Sequence, residues 1–175
     1  MSKQSISLSL IGLLFAVFLF FSPSAAQSDL SPLARKAKQM VERAHEYVSE
    51  QAGDMAAVRE AFETEPRFRH EPSHLYLFMH AYDAGSGRAV CIAQGIRPEL
   101  VGKNMWGLRT PNGRLLFQEV VALMQSRDAF WLEYDWLNPY KDKIETKRSF
   151  FKKIILPDGR NAWIGCGLWK DQENR

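Results

Sequence analysis

The sequence is poor in several of the features that usually announce a function. It has only two cysteines, Cys91 and Cys166, among 175 residues, so at most one disulfide is available. Neither cysteine has a patterned histidine partner, which leaves no sign of a thiol nucleophile. Twenty-three Lys and Arg oppose twenty Asp and Glu, for a formal charge of +3. That is too near neutrality to argue for nucleic acid. No long apolar run follows the first 21 residues, and no internal repeat or low-complexity tract appears.

What is present begins with a leader. Lys3 precedes an apolar run from Ile6 to Phe21, Pro23 breaks any helix, and Ser24-Ala25-Ala26 supplies small residues for cleavage. This is the layout of a secretory signal over residues 1–26, cut after Ala26. The run approaches the roughly 17–25 residues a spanning helix needs, so an uncleaved inner-membrane anchor is the alternative. No cysteine near the cut suggests a lipid anchor. Residues 27–175 are expected to form one domain outside the cytoplasm, periplasmic or secreted, large enough to bury a core of its own.

Residues 29–50 read as an amphipathic helix, with Ser28 or Asp29 as cap and Ala34, Ala37, Met40, Val41, Ala44, Tyr47 and Val48 at helical spacing. A short helix, 55–63, follows Gly53, and Pro66 and Pro72 punctuate a polar loop. From Leu75 the period becomes two. Leu75, Leu77, Met79 and Ala81 form an aliphatic face, while Tyr76, Phe78, His80 and Tyr82 form an aromatic one with polar tips. Asp83 to Gly87 is a hairpin loop before a second strand, 88–94. A glycine-interrupted stretch, 95–113, leads to a helix over 114–125. Strands are then predicted at 129–136, 147–156 and 161–169, the last two joined by the turn Pro157-Asp158-Gly159.

This order predicts an α+β fold: a long N-terminal helix on a five-stranded antiparallel sheet, with a helical insertion after strand two. The aliphatic face of strand one would take the helix, and the aromatic face would be left for the insertion. The stretch FWLEYDWLNPYKDK, 130–143, crowds Phe130, Trp131, Tyr134, Trp136 and Tyr140 around Asp135 and Asn138. Such a run is either aromatic core or the wall of a pocket. Of its two faces, the one carrying Phe130, Leu132, Tyr134 and Trp136 is expected to point inward, because the other carries two acids.

Four segments, in order, resemble the single Cache domains, extracytoplasmic sensor modules with a PAS-like sheet behind a long N-terminal helix. They are PELVGKNMWGLRTPNGRLLFQEVVAL (98–123), WLEYDWLNP (131–139), KRSFFKK (147–153) and AWIGCGLW (162–169). The resemblance spans 28–169. It implies a ligand-binding function, often for small carboxylates, with Trp106, Tyr134, Trp136, Asn138 and Lys147 around a pocket. To these the alternation of strand one adds Tyr76, Phe78 and His80, and Arg109 is a further candidate cation. Aromatic walls would exclude water while Lys147 or Arg109 supplies positive charge and Tyr134 and Asn138 supply neutral partners. The chain departs from the family's pattern at Thr110, at Gln94-Gly95 and at Phe150, three places expected to touch the pocket.

The resemblance also places strand one between strands two and five. Cys91 and Cys166 would then stand two strand spacings apart, roughly 9–10 Å, beyond bridging distance, and are expected as free thiols. The leading expectation is a sensing module for a small carboxylate or related metabolite. It would have no catalytic residue or cofactor and would act through a partner such as a membrane sensor kinase or chemoreceptor. Two other classes compete. His70, Glu71 and His74 fit the His-Glu-x-x-His spacing of a metal-dependent hydrolase, although Pro72 interrupts the helix which that chemistry needs. A structural adaptor with no small ligand is the third.

Overall fold

The computed structural model describes residues 30–51 and 53–173. The leader over residues 1–26 lies outside them, and among the described residues no helix is long and apolar enough to cross a membrane.

The first helix, α1 (Pro32–Glu50), starts later than the pattern of apolar residues suggests. Ser31 caps it, its hydroxyl accepting from the Ala34 amide at 3.2 Å, and Pro32 takes the first turn, where a missing N–H costs nothing. The proposed caps Ser28 and Asp29 lie outside the described residues. Helix α2 (Met55–Thr64) is capped by Asp54, whose carboxylate accepts from the Ala56 and Ala57 amides.

Among the described residues six strands follow rather than five. The extra one, β1 (Arg69–His70), pairs with the start of β2 (Leu75–Asp83) after a 3₁₀ turn at Glu71–Ser73. His74 closes that turn with a left-handed φ of 52°. The remaining strands are β3 (Arg88–Gln94), β4 (Ala129–Asn138), β5 (Lys143–Ile155) and β6 (Asn161–Trp169), all antiparallel, with α3 (Leu116–Met124) after the 95–115 segment. The order across the sheet is β3-β2-β6-β5-β4. The first long strand therefore stands between the second and the last, as expected.

The β4–β5 hairpin runs further than the apolar alternation indicated. Its outer part is held by polar pairs: the Thr146 hydroxyl donates to Asp135 Oδ1 at 3.0 Å, and Asn138 Nδ2 donates to Glu145 Oε2 at 2.6 Å. Such rungs extend the ladder with polar side chains, which carry no apolar period-two signature.

Two cores lie on opposite faces of the sheet. Leu75, Leu77, Met79 and Ala81 join Ile164, Cys166 and Leu168 beneath α1 and α2. Tyr76, Phe78, Phe130, Tyr134, Phe151 and Trp163 face α3. Cys91 belongs to the second face and Cys166 to the first, with β2 between their strands, and both thiols are buried and free.

Candidate functional site

The α3 face of the sheet is not filled. Between it, α3 and the 95–115 segment lies a cavity of about 390 Å³, within the size range of small-molecule sites. Its geometry follows from strand alternation. Tyr76, Phe78 and His80 project from β2, Tyr134 and Trp136 from β4, and Lys147 and Phe151 from β5. On β6, between β2 and β5, the same face carries Gly165 and Gly167. A Cβ on Gly165 would fall 2.3 Å from the Phe78 ring, and one on Gly167 would fall 2.0 Å from Ser149 Oγ and 2.7 Å from Lys147 Cε. The two glycines clear this face of β6: the Phe78 ring lies over Gly165, and the Lys147 side chain passes over Gly167.

That side chain is the unusual element. Lys147 is 1% exposed, yet none of the ion pairs among the described residues includes it. Its ammonium donates to Tyr76 Oη at 2.8 Å and lies 4.1 Å from the Tyr76 ring centre, 5.4 Å from Phe78 and 5.2 Å from Trp169. Loss of hydration lowers its pKa, an effect partly opposed by the Tyr134 hydroxyl nearby. Burial raises the pKa of Tyr76 and Tyr134, so both phenols stay protonated donors. Tyr134 Oη is 2.8 Å from Ser149 Oγ. His80 stacks on Trp163 at 5.3 Å, and burial pushes its pKa down to about 3, which keeps the imidazole neutral.

Of the nine residues singled out from the sequence, Tyr76, Phe78, His80, Tyr134, Trp136 and Lys147 line this cavity, and three do not. Trp106 packs beside the 83–87 loop, where a Cβ on Gly87 would come within 3.3 Å of its indole nitrogen. Arg109 is exposed and donates to the Gly113 carbonyl at 2.7 Å, closing its own loop. Asn138 is buried, but it shapes the hairpin: its Oδ1 accepts from the Tyr140 amide while Nδ2 holds Glu145.

The departures from the family's pattern also sort by geometry. Thr110 closes a loop by accepting from the Arg114 amide, and Phe150 faces α1, with Lys38 5.7 Å from its ring. Only Gln94 reaches the cavity.

The cavity has further walls that the sequence reading missed. Phe151 was available from alternation, since 147, 149 and 151 share a face. Leu116 and Phe117 were identified as the buried side of their helix but not as pocket wall. Arg97 and Lys103 line it from the 95–115 segment, for which no periodicity exists. That segment is not a free flap, because it is stitched to the outer edge of β3. Gly102 donates to Cys91, Cys91 to Lys103, and Met105 to Ala89, at 2.8–3.0 Å. Asn104 Oδ1 accepts from the Ala89 and Trp106 amides.

The hydrolase motif does not assemble. Residues 71–73 form a 3₁₀ turn, His74 stacks on Tyr140 at 3.8 Å, and among the described residues no group of three metal-ligating side chains is present.

Comparison with known proteins matches this architecture. A solved structure titled as the periplasmic sensor domain of a chemotaxis protein is 26% identical with a TM-score of 0.62, covering 80% of this chain and 99% of its own. A Cache chemosensory domain, whose title concerns carboxylic acid recognition, is 21% identical with a TM-score of 0.63, over 79% and 94%. A methyl-accepting chemotaxis protein from Vibrio parahaemolyticus is 19% identical with a TM-score of 0.61, over 78% and 88%. The family profile described as Single Cache domain 2 matches residues 24–167, and the chain belongs to that family of sensor domains.

Proposed function

We propose that this domain is an extracytoplasmic receptor for a small carboxylate, which it binds in the cavity between the sheet and α3. The observation that carries the reading is Lys147: a buried cation, on the cavity wall, with a phenol and aromatic faces for company but no carboxylate. A lone buried charge is costly, and a desolvated lysine on a cavity wall is the kind of group an arriving anion would pair with. At an effective dielectric of about 20, a carboxylate about 4 Å from the ammonium gains roughly 4 kcal/mol of attraction. Tyr76 Oη orients the ammonium, Tyr134 Oη offers a second donor, and the rings of Phe78, Phe117 and Phe151 hold an apolar body.

Kinship supports the same reading. Two of the similar structures are titled as belonging to chemotaxis proteins, and a third as a Cache chemosensory domain by its recognition of carboxylic acids. Occupancy would be passed to a partner of that signalling type, a membrane sensor kinase or chemoreceptor. The 95–115 segment, which lines the cavity and is hydrogen-bonded to β3, gives ligand contacts a route to the sheet edge.

The test is calorimetric titration of the purified protein with acetate, propionate and phenylacetate, beside amines of matching shape. Acids should bind, amines should not, and Lys147→Met should remove acid binding. Acid affinity unchanged in Lys147→Met would refute the assignment.

A further inference from the structure

The cavity wall carries more polarity than a simple acid can use. This bears on the ligand's class, and it rests on the receptor reading above. Three cations line the cavity: Lys147 from the sheet, and Arg97 and Lys103 from the 95–115 segment. Among the described residues no Asp or Glu does. Arg97 is engaged by Glu99, Nε to Oε1 2.7 Å, outside the lining. An ammonium group on the ligand would therefore enter a positive enclosure and find no carboxylate to pair with. Amino acids and amines are disfavoured on that ground alone.

Two neutral polar side chains complete the wall on its β2–β3 side. Gln94 is 7% exposed, and its Oε1 has no hydrogen-bond partner among the described residues. His80 is 4% exposed, and its Nδ1 is likewise without one. Both residues line the cavity, and β2 sets them on one face: Gln94 opposes Phe78, two positions from His80. Buried amide and imidazole atoms left unpaired are rare, and each needs a partner. A methylene satisfies neither. A hydroxyl donates and accepts, so it can meet either atom of the amide and either tautomer of a neutral imidazole.

We propose that the ligand is a hydroxycarboxylate, with its carboxylate on Lys147 and its hydroxyl on the wall formed by Gln94 and His80. Gln94 is then the residue that separates hydroxy acids from their deoxy counterparts. A site built to hydrogen-bond a hydroxyl discriminates against the analogue that lacks it, because the site's own polar groups are left unpaired.

The experiment is a calorimetric comparison of matched acids on the full protein. One series is lactate, propionate and alanine; the other is 3-phenyllactate, 3-phenylpropionate and phenylalanine. In at least one series the hydroxy acid should bind about tenfold or more tighter than its deoxy and amino analogues. The near-isosteric Gln94→Met should bring the hydroxy-to-deoxy ratio close to one while leaving the deoxy acid's affinity in place. Gln94→Glu, which adds a negative charge to the wall, should weaken every acid. Equal binding of hydroxy and deoxy acids to the wild-type protein would overturn the proposal, as would preference for the amino acid. If those acids still depend on Lys147, the receptor reading survives. No binding by any acid overturns both.

Discussion

Mild acid should weaken this domain in good part through His80. It packs against the rings of Trp163 and Phe117, at 5.3 and 5.0 Å, and burial lowers its pKa from 6.5 to about 3. Below pH 6.5 the unfolded chain takes up a proton here that the folded chain refuses until about pH 3. The unfolded state therefore binds more protons throughout that window, and stability falls as pH falls. From pH 6.5 to 4.5 the gap widens by two units at about 1.36 kcal/mol each, a loss of about 3 kcal/mol from this residue alone. That is a large part of the roughly 5–15 kcal/mol that holds a typical domain. Urea unfolding of wild type and His80→Leu at pH 7.5 and 4.5 isolates the effect, because carboxylates and the other histidines titrate in both proteins. Wild type should lose about 3 kcal/mol more than the variant on acidification. Equal losses would show that His80 is not held neutral by burial, and its role in the cavity wall would fall with that.

Three other perturbations have defined outcomes. Gly167→Ala places a Cβ 2.0 Å from Ser149 Oγ and 2.7 Å from Lys147 Cε, so it should destabilise by about 1–3 kcal/mol in chemical denaturation and weaken acid binding by displacing the lysine. The double variant Tyr76→Phe/Lys147→Met removes a buried cation together with the hydroxyl it uses. It should unfold about 1–4 kcal/mol later than wild type in urea while losing all response to acids; a destabilised double variant would contradict the claim that the cation is an uncompensated cost. Ser31→Ala should cost about 1 kcal/mol by removing the cap of α1, with no change in ligand affinity by calorimetry.

How much of this was legible in the sequence depended on whether a side chain's placement is a local or a long-range matter. Alternation in β2 separated Leu75, Leu77, Met79 and Ala81 from Tyr76, Phe78 and His80, and the two sets do face different cores. The same rule picked the inward face of β4, because Glu133 and Asp135 mark the other. Register is where such reasoning ends. Gln94 enters the cavity because it opposes Phe78, and a shift in pairing between Met79 and His80 fixes that partnership. No propensity foretells such a shift. Asn138 sits on the inward parity of β4 and was assigned to the pocket, yet hydrogen bonds across its own hairpin claim both ends of its amide. Trp106 and Arg109 belong to a segment without periodicity, whose path is set by backbone bonds to β3 rather than by any pattern of its own.

The Gly-Cys-Gly track on β6 ties the fold to the site. Glycine in a strand interior gives up side-chain packing and conformational entropy, so two of them at alternate positions of a central strand need a reason. Here Cys166 between them packs under α1, while the glycines clear the opposite face. Without that clearance Lys147 could not cross β6 to reach Tyr76, and its ammonium would have to leave the cavity wall. The space the two glycines leave is taken up by the Phe78 ring, Ser149 Oγ and the Lys147 stem, so the concession that remains is the lost solvation of Lys147. That cost does not stabilise the unliganded protein, and on the receptor reading proposed above it would be offset by an anion that neutralises the charge. Stability sacrificed at one enclosed site and returned by a bound anion is, on that reading, the energetic arrangement by which a ligand would change the domain's state.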